Sequence, residues 1–312
     1  MTFNDINKLG KIREPFLFIS DFKAENLKII LLKDLQEQNV EYQINEKIQK
    51  IEHEYFLQKT PIPFLDYKKK FDYVIEQIKS GNTYLLNFTQ ETKIETQLSL
   101  KEIYDCANAN YKLKYKDEFV CFSPERFIKI KENKIHTYPM KGTIDSAIKG
   151  AENKILENKK EMAEHIMVVD LLRNDLSIKA KNVKVEEFRY ITEIDAGDKK
   201  LLQVSSHISG ELSENWHDEL GSILESLLPA GSISGTPKKS TLEIIDKIES
   251  YGRGYFSGVF GLYDGESFDS GVMIRFIEKT DEGYIYKSGG GITLDSRAKD
   301  EYNEMIDKVY LP

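Results

Sequence analysis

Only two cysteines, Cys106 and Cys121, occur in 312 residues, and their spacing matches no metal motif. A disulfide scaffold and a cysteine-bound zinc are therefore not expected. No apolar run reaches the length needed to cross a bilayer, and the opening MTFNDINKLG has no hydrophobic signal core. An excess of positive charge is missing too. The net charge is -8 and the lysines are scattered among acids, which argues against a nucleic-acid partner. No Pro/Ser/Gly-rich linker or composition break divides the chain, so it reads as one large domain rather than two. Its 40% hydrophobic content is enough for a sizeable core. These absences leave a cytoplasmic globular protein, without a membrane or nucleic-acid partner, as the expectation.

One stretch stands out for chemistry, Cys121 to Thr143, CFSPERFIKIKENKIHTYPMKGT. It reads as two short strands, Phe127, Ile128 and Ile130 on one arm and Ile135, Thr137 and Tyr138 on the other, meeting at the polar Lys131 to Lys134. Glu125 and Lys141 stand at the open ends, so closing the hairpin brings a carboxylate near an amine, a candidate acid and a candidate nucleophile. Opposed pairing of the two requires a three-residue loop, Glu132 to Lys134, centred on Asn133. A two-residue loop would send the side chains to opposite faces unless a bulge intervened. Taken alone, the pattern also fits a surface hairpin closed by a solvated ion pair, the commoner case.

Around this hairpin, FLFISDF and LKIILLKDL read as strands, and EYQINEKIQKIEHEY as a strand and connecting segment without a site signature. Leu65 to Ser80 has helical spacing, with Phe71, Val74, Ile75 and Ile78 on one stripe and Gly81-Asn82 as its stop. TYLLNFTQETKIET is strand-like, and Ser99 can cap a short helix. Glu152 to about Leu176 reads as one long helix with an apolar stripe of Met162, Ile166, Val169 and Leu172, and with Glu161 and Glu164 together on another face. Leu201 to Leu212 is strand-like and Asp218 to Leu228 helical. Pro229 to Lys238, PAGSISGTPK, is a Gly/Ser loop entering a helix with Thr236 as its cap, a start that favours an anion. It is not a Walker loop, because no GK[ST] follows. The last portion reads as a meander of GYFSGVFGLY, SGVMIRFIE and YIYKSGGGITLDS. Arg275 lies in the middle strand and needs an anionic partner, while Gly289 to Gly291 permit close backbone approach. A closing helix, Ala298 to Val309, carries Glu301 and Glu304. If the two Glu-bearing helices meet, four carboxylates suit a hard divalent cation.

NTYLLNFTQ, FSPERF, PMKGT, KEMAEHIMVVDLLRNDL, PAGSISGTPK, RGYFSGVFG, VMIRFIE, SGGGITLDS and EYNEMIDK follow one another from Asn82 to Lys308. In that order they resemble the chorismate-utilising enzymes, which include anthranilate synthase, isochorismate synthase and aminodeoxychorismate synthase component I. The first sixty or so residues match only loosely. The resemblance implies an α+β fold, a single chorismate-binding domain of stacked antiparallel sheets with helices outside and a core over roughly 66–309. It implies Mg2+ held by Glu164 and Glu304 directly and by Glu161 and Glu301 through water. It also implies that Arg275 and Gly289, Gly290 and Gly291 take the enolpyruvyl carboxylate, with Gly235, Thr236 and Thr143 lining the pocket.

Three positions select a branch within that resemblance. Lys141 stands where aminodeoxychorismate synthases carry lysine and where anthranilate and isochorismate synthases usually carry alanine. Leu85 stands where isochorismate and salicylate synthases carry a water-activating lysine, and a leucine cannot be that base. Gln203 stands where many relatives have histidine, and His207, further along the strand, reads as structural. The implied reaction is amination of chorismate at C4 to 4-amino-4-deoxychorismate, on the way to p-aminobenzoate and folate. Lys141 is its nucleophile, Glu125 its general acid and Mg2+ its cofactor. Neither cysteine lies in a glutaminase-like context, so ammonia is expected from a separate glutamine amidotransferase. The alternatives are anthranilate synthase component I and a non-catalytic chorismate-binding protein.

Overall fold

The computed structural model describes residues 1–45, 54–196 and 199–312. Part of the expected connecting segment, residues 46–53, lies outside the described residues. Two antiparallel sheets dominate. The first runs Met140–Asp145, Lys199–Glu211, Lys134–Thr137, Arg126–Lys131, Phe268–Val272, Val259–Tyr263, Phe16–Ser20, Leu27–Leu31, with Lys181–Ala196 paired to Lys199–Glu211. The second runs Gly235–Thr236, Leu85–Glu95, Gly283–Ile292, Phe276–Thr280, Phe119–Ser123, Tyr111–Tyr115, Val40–Ile44, with Gln58–Pro61 beside Leu85–Glu95.

Sheet packs on sheet through Leu17, Ile19 and Phe260 of the first against Tyr111, Leu113 and Phe276 of the second. Phe16–Ser20 is buried along its whole length, as a strand covered on both faces must be, which explains its unbroken apolar reading. The helices Phe64–Lys79, Lys159–Ser177, Leu220–Leu227, Lys238–Ile248 and Ala298–Asp307 close a second apolar layer through Tyr67, Phe71, Val169, Leu172, Leu224, Ile244 and Met305. Stacked antiparallel sheets with helices outside are the α+β architecture expected.

The chain passes from the second sheet to the first between Phe119–Ser123 and Arg126–Lys131, and back again between Phe268–Val272 and Phe276–Thr280. The two crossings run side by side, Phe122 N donating to the Arg275 carbonyl at 3.2 Å and Val272 N to the Glu125 carbonyl at 3.0 Å. SGVMIRFIE is therefore not one strand. Arg275 stands at its break, with φ 52, in the left-handed region that a branched or bulky side chain avoids.

Three further expectations are corrected. The hairpin register pairs Ile130 with Ile135 and Lys131 with Lys134, leaving the two-residue turn Glu132-Asn133, whose φ values of 52 and 58 suit a tight I′ connection. The arm ends at Thr137, and Lys141 belongs to the next strand, paired with Lys199–Glu211, so it is not the cross-strand neighbour of Glu125. The long helix is broken at Asn158, whose side chain accepts from Glu161 N and starts Lys159–Ser177 afresh after Ala151–Glu157. On it Val168, Val169, Leu171, Leu172 and Leu176 are buried, whereas Met162 and Ile166 are exposed. Thr236 is not a cap: it pairs with Leu85 in a two-residue strand, and the helix Lys238–Ile248 begins after Pro237.

Candidate functional site

The paired crossings place Glu125 and Arg275 together. Ser232, from the Gly/Ser loop, donates its hydroxyl to Glu125 Oε1 at 2.5 Å. Burial pushes the Glu125 carboxyl above its ordinary range, against the Ser232 hydrogen bond and the positive charges of Lys141, Lys308 and Arg275. A carboxyl whose ionisation burial disfavours is suited to giving a proton to a departing oxygen.

Lys141 reaches the same place by a different route from the one its hairpin arithmetic suggested. The pairing of Met140 with Ser205 and of Thr143 with Gln203 shifts register between them, so Lys141 and Gly142, φ 87, form a bulge. Such a bulge re-aims a side chain out of the ladder. Lys141 Nζ lies 3.0 Å from Glu164 Oε2, its side chain a quarter exposed. Burial disfavours its charge, but Glu164, then Glu161 and Glu304, outweigh burial and hold the ammonium above its ordinary value. A methyl group added at Gly291 would stand 3.2 Å from Lys141 Nζ and 3.1 Å from Leu85 Cδ1, so these two branch-selecting residues meet over one glycine.

Both Glu pairs turn toward these residues. A methyl group at Gly142 would lie 3.4 Å from Glu161 Oε2, and one at Gly290 would lie 3.5 Å from Glu301 Oε2, Glu304 Oε1 and Lys308 Nζ. Lys308 Nζ also bonds Glu304 Oε1 at 2.6 Å and the Gly289 carbonyl at 2.8 Å. Ser296 Oγ donates to Glu301 Oε1 at 2.7 Å. The donor chemistry, carboxylate oxygen only, fits a hard cation. Among the described residues, however, no three carboxylates, imidazoles or thiolates are drawn together as a closed metal site.

The other expected contacts sort by backbone role. Gly235, φ 138, lies so close to the Leu85 carbonyl that a methyl group would stand 2.0 Å from it, so this glycine seals the loop against Leu85–Glu95. At Gly289 a methyl group would meet the Phe88 carbonyl at 2.1 Å, which makes that glycine a requirement of strand pairing, whereas Gly290 and Gly291 face the charged groups. Thr143 sits opposite Gln203 with its side chain exposed. His207 stacks on Tyr138 at 4.7 Å, and its Nε2 lies 3.0 Å from His136 Nδ1.

Sequence reasoning passed over several participants. Ser232 and Ser234 both lie in PAGSISGTPK, and spacing could not tell the residue on Glu125 from Ser234, which bonds the Ala230 carbonyl. Lys308 follows Glu304 by one helical turn, a signal that was available. Asp175, read as part of a helix stop, takes Lys238 Nζ at 3.1 Å and ties helix Lys159–Ser177 to the Gly/Ser loop.

Comparison with known proteins gives this geometry a context. The profile of chorismate binding enzymes matches residues 17–311. An uncharacterised PabA-like protein of Haemophilus influenzae is 47% identical over 310 residues, 98% of this chain and 94% of its own. Aminodeoxychorismate synthase component 1 of Escherichia coli is 31% identical over 258 residues, 78% of this chain and 56% of its own. Among solved structures, anthranilate synthase component I of Streptococcus pneumoniae aligns with a TM-score of 0.69 at 25% identity, covering 81% of this chain and 58% of that one. No helix among the described residues is long and apolar enough to cross a membrane.

Proposed function

This chain belongs to the family of chorismate binding enzymes, and on that premise we propose that it is the chorismate-aminating component of an aminodeoxychorismate synthase. Lys141 first gives its extra proton to solvent, and the neutral amine then forms a bond from Nζ to C2 of chorismate as the C4 hydroxyl leaves. Glu125 gives that hydroxyl its proton, so water departs. Ammonia then bonds C4 and displaces the lysine from C2, and a proton from the incoming nitrogen restores Glu125. The product is 4-amino-4-deoxychorismate, and p-aminobenzoate does not accumulate without a further lyase. Arg275 and the Gly290-Gly291 backbone receive the enolpyruvyl carboxylate.

The observation that carries the reading is the meeting of Lys141 and Leu85 over Gly291. An amine at that position supports a covalent step, and a hydrocarbon beside it speaks against activation of water by a base. Glu164 and Glu304 directly, and Glu161 and Glu301 through water, would hold Mg2+, whose charge would offset that of the ring carboxylate and favour the neutral Lys141 amine. Ammonia comes from a separate glutamine amidotransferase, and free ammonium substitutes for it.

The test is the product formed from chorismate, Mg2+ and ammonium. Aminodeoxychorismate, identified by mass and by its conversion with an added lyase, is the expected result. Fluorescent anthranilate, formed without a lyase, favours the runner-up, anthranilate synthase component I. No turnover at all would point to a binding protein.

A further inference from the structure

Arg275 is aimed by a neighbour that none of the site motifs contains. Its Nε donates to the Tyr310 hydroxyl at 3.1 Å, and its guanidinium carbon lies 5.3 Å from the Tyr310 ring centroid. Tyr310 is itself held in place. Val309 and Leu311 on either side are buried, the Leu311 carbonyl accepts from Tyr55 Oη at 2.9 Å, and the Tyr310 ring meets Phe122 edge-on at 5.9 Å. Phe122 in turn bonds the Arg275 carbonyl through its N–H. Backbone and side chain of the arginine are thus both pinned, by two residues in contact with each other.

The consequence follows from guanidinium geometry. Of its N–H groups, the one on Nε is taken by tyrosine, which fixes the plane of the fork and leaves the terminal nitrogens to face a planar anion as a pair. A flexible arginine would have to freeze its rotamers on binding, whereas one already oriented does not.

We propose that Tyr310 is a positioning residue that orients Arg275 for two-point capture of a substrate carboxylate, which makes residues 309–311 part of the binding apparatus. The ligand class rests on the function proposed above; the orientation of Arg275 does not. Tyr310 touches no reacting atom, so its loss acts on ground-state and transition-state binding alike.

Two measurements on folded wild type, Tyr310→Phe, Tyr310→Ala and Arg275→Lys test this. In the first, the Arg275 Nε–H resonance is assigned by its absence from Arg275→Lys and followed by NMR without ligand. It is protected from exchange in wild type and loses that protection in Tyr310→Phe; equal protection in both overturns the proposal. The second is calorimetric chorismate binding together with steady-state kinetics. Tyr310→Phe weakens binding by about three- to tenfold and Tyr310→Ala by more, with kcat within about twofold of wild type, the pattern for loss of uniform binding. Wild-type affinity in Tyr310→Ala, alongside lost affinity in Arg275→Lys, overturns the proposal. A wild type that protects the Nε–H through Tyr310 yet does not bind chorismate contradicts the substrate assignment and supports the positioning role.

Discussion

Glu125 illustrates what a buried carboxyl costs in stability. Its folded carboxyl is raised above the ordinary glutamate value of 4.5 chiefly by burial. Such a group contributes stability that is full below the unfolded value and is lost as pH rises through the folded one. Glu125→Gln keeps the Ser232 bond and never ionises, so its melting temperature should exceed that of wild type by a few degrees at neutral pH. Near pH 4, below the ordinary glutamate value of 4.5, the difference should vanish. Ser232 favours the ionised form. Removing it in Ser232→Ala should therefore raise the Glu125 value further and move the alkaline edge of the pH–kcat/KM profile, where the general acid loses its proton, upward, with Ser232→Thr restoring it. The pair Glu125 and Lys141 was legible in the sequence as residues, because FSPERF and PMKGT flank a turn. Their convergence was legible only as a possibility: a bulge at Lys141-Gly142 and a sheet crossing at Glu125 bring it about, and neither has a compositional signature.

At the scale of the element, the glycine strand divides by what each Cα faces. Gly289→Ala forces a methyl group to 2.1 Å from the Phe88 carbonyl. It should destabilise the fold by on the order of 1–3 kcal/mol in denaturant titrations. Gly291→Ala meets only the ends of Leu85 and Lys141. It should leave stability near wild type, within about 1 kcal/mol, while raising KM for chorismate, because the methyl group takes space beside the nucleophile. A sequence of three glycines reads as uniform permissiveness, and only the partner strand tells them apart. The same lesson holds for SGVMIRFIE. Its alternation is a strand's, yet it is shared between two sheets, with Arg275 at the break, because β-period apolar residues bury equally well in either layer. The helix Lys159–Ser177 was overextended for the opposite reason: Asn158 is a good cap, but a cap inside a helical pattern is easily read through.

For the whole molecule, the stacked sheets hold the crossings rigid while the helices Lys159–Ser177 and Ala298–Asp307 bring carboxylates to them from outside. If the proposed Mg2+ binds there, a site assembled from separate elements should fail as a unit. Chelation is expected to abolish ammonium-dependent turnover, and restoring Mg2+ to recover it, with little change in the far-ultraviolet circular dichroism; undiminished turnover in chelator would remove the metal from the reading. The central claim, that Lys141 bonds to the substrate, is tested most directly by rapid quench of wild type with chorismate and Mg2+, without and with ammonium, followed by peptide mass analysis. The expected result is a peptide containing Lys141 heavier by chorismate less one water, discharged by ammonium and absent from Lys141→Ala, whose turnover falls by roughly a thousandfold or more. Ammonium-dependent consumption of chorismate with the Lys141 peptide unmodified throughout, or a Lys141→Ala variant as fast as wild type, would contradict it.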